Sequence, residues 1–182
     1  MIARSLPLAA ILIVTLATAC ACPSPTTRAL RNGSYRIDNE IIQLTEAEHR
    51  QAYADDSAME RVVRLAEIVE QGDLDGRDGK DAVVVLVDDG GGSGTFYHLA
   101  VLLRRDGTLE NVATQLLGDR VLIQSVAIDD ATHGITVHAL VREEGAPMSA
   151  EPEVQVTMLY LVIDDRISPV RRSVSSPVDT TR

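Results

Sequence analysis

Asp73, Asp75, Asp78 and Asp81 fall within the nine residues "DLDGRDGKD". Carboxylates so closely spaced can converge several hard oxygens on one divalent cation. Asp73, Asp75 and Asp81 occupy positions 1, 3 and 9 of a calcium loop of the D-x-D-x-D-G-x-x-D type. Position 5 is Arg77, a cation where a ligand belongs, so Asp78 can substitute only if the loop bends differently. An EF-hand is excluded, because its sixth residue would be Asp78 rather than Gly and its twelfth Val84 rather than Glu. The competing expectation is an Asp/Gly turn whose carboxylates cap backbone N–H groups, with Arg77 or Lys80 neutralising them. The expectation is therefore no cofactor, with calcium on this turn as the alternative.

A second stretch, "DDGGGSGTFYHLA" (Asp88 to Ala100), concentrates glycine. A phosphate loop would end in Gly-Lys-Ser/Thr and open a helix, whereas here "GSGTFY" opens a strand. A G-x-S-x-G nucleophile elbow is broken by Thr95. The expectation is a bend between two strands, with Gly91, Gly92, Ser93 and Gly94 as an exposed loop open to a ligand or partner. A hydrolase is the rival: Ser93, His98 and Asp89 lie near one hairpin, and that reading requires Ser93, His98 or Asp119 to meet in one pocket. In "LGDRV", Asp119 and Arg120 fit better as a turn and an ion pair between strands. Histidines 49, 98, 133 and 138 show no H-E-x-x-H spacing, so zinc is not expected.

The elements that must carry these residues read mostly as strands. "DAVVVLVDD" (Asp81 to Asp89) is a continuous apolar run suited to a buried central strand. "TFYHLAVLLRR" follows closely enough to pair antiparallel with it, and Asp106-Gly107 suits a tight hairpin. "LENVATQLLG", "VLIQSVAID", "GITVHALVR" and "EVQVTMLYLVI" continue a meander. In the third of these, Ile135, Val137, Ala139 and Val141 share one face, opposite Thr136, His138, Leu140 and Arg142. Toward the N-terminus, Thr45 and Glu48 form a capping-box pattern that predicts a short helix over Thr45 to Tyr53. "MERVVRLAEIVEQGD" fits a helix or a strand by periodicity alone. The expected fold class is α+β and β-dominated: a single antiparallel meander sheet with a short N-terminal helix.

In the chain's first residues Arg4 precedes an apolar run from Leu6 to Leu16 that ends in small residues, as an export signal does. "LATAC" resembles a lipobox, making Cys20 the candidate lipidation site. "ATA" would equally serve an ordinary signal peptidase. Cys20 and Cys22 are the only cysteines and are too close together to staple a fold. The expected organisation is a signal and lipobox region over 1–22, a tether over 23–32, one β-rich domain over 33–170, and a disordered tail over 171–182.

Among 182 residues the net charge is -10, which argues against nucleic acid as a partner. Aromatics are 3 % with no Trp, which disfavours stacking platforms for sugars or single strands. "GDLDGRDGKDA", "GGSGTFYHLAVLL", "LLGDRVLIQSVAI" and "APMSAEPEVQVTMLYLV", in that order over about Val62 to Val162, resemble a family of bacterial secreted proteins and lipoproteins of uncharacterised function. The resemblance implies a strand over Val62 to Gly72 leading into the Asp-rich turn, where Arg77 replaces the family's acidic residue. It carries no activity. The functional expectation is a non-catalytic cell-envelope protein, exported and lipid-anchored to a membrane or free in the periplasm or medium, acting as a binding or structural module with an envelope partner. A calcium-dependent adhesion or assembly module and the hydrolase are the alternatives.

Overall fold

The computed structural model describes residues 24–54, 59–92, 94–147 and 149–175. Cys20, Cys22 and Ser93 therefore lie outside the described residues, as do the rest of 1–23 and the tail from 176 onward.

The described residues form one short helix, α1 (Pro25–Arg31), and eleven strands. A hairpin of β1 (Ser34–Ile37) and β2 (Glu40–Gln43) comes first. Then β3 (Glu48–Ala52), β4 (Glu60–Gly72), β5 (Asp81–Asp89), β6 (Thr95–Arg105) and β7 (Thr108–Asp119) make a five-stranded antiparallel sheet in sequence order. A four-stranded sheet follows, also a meander, from β8 (Leu122–Asp129), β9 (Gly134–Val141), β10 (Val154–Ile163) and β11 (Arg166–Ser175). The fold is β-dominated and antiparallel, as the sequence implies, but the single meander sheet is corrected to three sheets.

The reason lies in β5. Its residues Ala82 to Leu86 are fully buried on both faces, and one sheet can bury such a strand only if each face receives its own cover. On one face Val83, Val85, Leu99, Val101 and Leu103 pack with Val126, Ile135, Val137, Ala139, Val156 and Met158 of the four-stranded sheet. On the other, Ala82, Val84, Leu86, Ala100 and Leu102 pack under Leu30, Tyr35, Ile37 and Ile42 of α1 and the hairpin. The β9 alternation is realised: Ile135, Val137 and Ala139 are buried, while Thr136, His138 and Leu140 are only partly so. Where the two sheets cross near Gly72, a Cβ would sit 2.4 Å from Asp130 Oδ1 and 2.6 Å from Ile128. Glycine there permits the close approach, and Asp130 Oδ1 accepts from the Asp73 N–H at 2.9 Å.

Three local expectations are corrected. The segment read as a helix from Thr45 to Tyr53 is a turn followed by β3, with Glu46 and Ala47 at positive φ (53° and 78°). The capping-box carboxylate of Glu48 is drawn to Arg50 on its own strand and to Arg64 on β4, and the Ala47 N–H donates to Arg31 O of α1. Tertiary pairing thus outcompetes a local cap. The tether over 23–32 contains α1: Ser24 caps it by accepting from the Thr27 N–H, Pro25 sits in its first turn, and Leu30 is buried. Seven residues are too few for a helix to persist alone, so docking through Leu30 holds it. Finally, the expected tail from 171 begins as strand, because β11 pairs with β10 as far as Ser175 opposite Gln155.

Candidate functional site

In the Asp-rich turn, Asp73, Asp75 and Asp81 each bring one oxygen within 4.8 Å of the others, whereas Asp78 is exposed and outside the trio. These carboxylates already organise the backbone. Asp73 Oδ1 accepts from the N–H groups of Asp75 and Gly76, and Asp75 Oδ1 accepts from that of Arg77. Asp81 is 2 % exposed; its Oδ2 accepts from the Leu74 N–H and its Oδ1 from the Arg104 N–H, both at 2.8 Å. Of the remaining oxygens, Asp73 Oδ2 lies 3.5 Å from His133 Nδ1, and Asp75 Oδ2 lies 3.6 Å from Arg77 Nη1. The Arg77 guanidinium and the His133 ring thus stand beside the oxygens that calcium would need.

The glycine stretch joins β5 to β6, with Asp89 paired to Thr95. Gly91 has φ 70°, and a Cβ there would meet the Glu60 carbonyl oxygen at 2.6 Å. This is a turn constrained by backbone contact. Asp119 Oδ1 caps the Thr95 N–H, and Asp119 Oδ2 pairs with Arg142 at 3.0 Å, so the ion pair expected of Asp119 forms with the residue just beyond β9.

The cavity that stands out lies elsewhere, where the β1–β2 hairpin stops covering the sheet. Leu86 pairs with His98 and Asp88 with Phe96, so these four share the face under the hairpin, and Leu116 of β7 joins them opposite His98. Leu86 is covered. At Asp88 and Phe96 the cover ends, and a cleft of about 600 Å³ opens between the sheet and the hairpin tip. Its walls are Tyr53, Phe96 and Leu116, which are 60 %, 41 % and 49 % exposed. The Tyr53 hydroxyl donates to Gly90 O at 2.8 Å and holds its ring beside the glycine turn. Of the glycines in that turn, Gly90 is the one that reaches the cleft.

Polar groups gather on the floor. Arg61 donates from Nε to Asp88 Oδ1 (2.9 Å) and from Nη2 to Asp88 Oδ2 (2.6 Å), a bidentate pair, and its Nη1 bonds Glu40 of the hairpin. Asp88 and then Glu40 raise the already high basicity of this guanidinium. His98 lines the same floor, is 5 % exposed, and its Nε2 has no hydrogen-bond partner among the described residues. Burial pushes its imidazole below the ordinary value, outweighing the pull of Asp88 and Asp38 toward protonation. Because Arg61 takes both oxygens of Asp88, the acid beside His98 is committed to an ion pair.

In the sequence His98 suggests a hydrolase site with Ser93 and Asp89 or Asp119, or a zinc ligand that lacks its spacing, while Arg61, Asp88, Tyr53 and Phe96 do not stand out as site residues. One signal was present: Asp88 and His98 interrupt the inward-facing apolar series of β5 and β6, and a buried polar residue requires a reason. No family model, curated protein or solved structure matches this chain.

Proposed function

We propose that this protein is a non-catalytic binding module of the bacterial cell envelope, exported and carried on lipid at Cys20, with the cleft beside the hairpin as its ligand seat. The cleft carries this reading: a concavity of about 600 Å³ falls in the size range of small-molecule sites and joins exposed apolar walls to a few convergent polar groups. The commitment of Asp88 to Arg61 favours binding over acid–base chemistry at His98, and so favours this reading over the hydrolase. Leu116→Arg places a long charged side chain across the mouth at a position already half exposed. Ligand-observed NMR with a mixed fragment set should find binders to the native protein that this variant loses. Hits indifferent to the substitution would sink the cleft as the seat. For the anchor, the intact mass of membrane-extracted protein should include a diacyl group on Cys20, and an unmodified N-terminus would refute it.

The second reading, a calcium-dependent adhesion or assembly module, draws on the convergence of Asp73, Asp75 and Asp81. A melting midpoint raised by millimolar calcium over EGTA would favour it. An unchanged midpoint would remove it.

A further inference from the structure

We infer that the cleft selects an organic cation, an alkylammonium or guanidinium group on an apolar stem, supplied either as a free amine or as a Lys or Arg side chain of a partner. The inference rests on the cleft being the ligand seat and adds the charge of what it takes. Three carboxylates, Asp38, Glu40 and Asp88, line the cleft against one guanidinium, that of Arg61, a net of -2 while His98 is neutral. The Arg61 charge is matched by Asp88 and Glu40, which take three of its five N–H donors, so it offers little to an anion. Asp38 differs: its carboxylate has no hydrogen-bond or ion-pair partner among the described residues. It stands on the hairpin turn at φ 54°, at the edge of the cleft.

The apolar walls complete the match. The faces of Phe96 and Tyr53 attract a cation held over them, and Leu116 covers a hydrocarbon stem. His98 on the floor is nine-tenths buried with Nε2 unpartnered among the described residues, a buried polar ring that no protein group satisfies. An anionic ligand would meet unpaired Asp38 and the acidic field of a chain of net charge -10. A neutral ligand would leave Asp38 unused.

The test titrates the isotope-labelled exported protein with cadaverine, with the blocked methylamides of acetyl-lysine and acetyl-arginine, with glutarate and with n-pentanol. The cations should shift the amides of Arg61, Phe96 and His98 and bind more tightly than glutarate or n-pentanol, with an affinity that falls as salt rises. Asp38→Asn should weaken them about three- to five-fold and Phe96→Ala about three-fold, with n-pentanol insensitive to the first. Asn tolerates the positive φ at this turn, so Asp38→Asn keeps the hairpin. Blocked amino acids that outbind cadaverine would identify a partner polypeptide as the source, and equal binding a free amine. If glutarate or n-pentanol shifts the same amides as strongly as the cations do, the charge selection is overturned while the cleft remains a seat. If no probe moves those amides, both ideas fall.

Discussion

His98 couples protonation to folding. Its imidazole is held below the usual value of about 6.5 in the fold, within reach of Asp88, Asp38 and Arg61. As pH falls below about 6.5 the unfolded chain takes up a proton that the folded chain refuses. Stability should therefore decline from neutral pH down to the folded value, and then level off. Glu48, lowered by its hydrogen bonds to Arg50 and Arg64, and Asp129, lowered by Thr132 and Ala131, also lose stabilisation on acidification, but at or below the ordinary carboxylate range. The two windows separate. His98→Leu should flatten the melting midpoint between pH 7 and about pH 5, and parallel curves for the two proteins would refute the assignment. Asp81 makes a second residue-scale prediction. Removing its two buried acceptor oxygens in Asp81→Ala orphans the Leu74 and Arg104 N–H groups, at a cost of about 2–4 kcal/mol in urea unfolding. Asp78→Ala, on the exposed side of the same turn, should stay within about 0.5 kcal/mol. Equal losses would mean that the turn is held by its net charge rather than by these bonds. The acidic turn itself was legible because Asp and Gly at short spacing are a local signal; which oxygens face backbone and which face Arg77 or His133 depends on β6 and on the loop after β8.

At the scale of elements, α1 distinguishes a docked helix from a tether. Leu30 is 1 % exposed, and the Tyr35 hydroxyl donates to its carbonyl at 2.8 Å. Leu30→Ala should cost about 2–5 kcal/mol by chemical denaturation, whereas a plain linker would show no change. The proline-bearing sequence invited the linker reading because a seven-residue helix has almost no periodicity to display; its stability comes from the pocket that receives Leu30. The misread helix over Thr45 to Tyr53 fails for the opposite reason. A capping box was present, but Glu48 stands opposite Arg64 in the sheet, and backbone pairing along β4 supplies hydrogen bonds that an isolated helical turn cannot match. The β4 ambiguity has the same root, since a register shift between Leu65 and Val69 interrupts its alternation and lets it resemble a helical face.

For the whole molecule, the two larger sheets share one core and neither can bury its face alone. A fragment ending at Arg120 would keep α1 to β7 but expose Val83, Val85, Leu99, Val101 and Leu103. It should aggregate or lose fixed tertiary structure, and a well-dispersed NMR spectrum from it would contradict the shared core. At the rim, the more exposed pair of Arg105 with Asp165 adds little by comparison, while the partly buried pair of Asp119 with Arg142 ties the two layers. Residue order alone determined the antiparallel strands from Asp81 to Ile163, the turns between them and the buried status of β5, because period-2 alternation and glycine or aspartate at corners act over a few neighbouring positions. Only the tertiary structure decided that the meander divides into two sheets, that the N-terminal segment becomes their second cover, and that this cover stops short of Asp88 and Phe96. Where one layer ends over another depends on contacts between residues far apart in the chain, and the cleft exists only at that boundary.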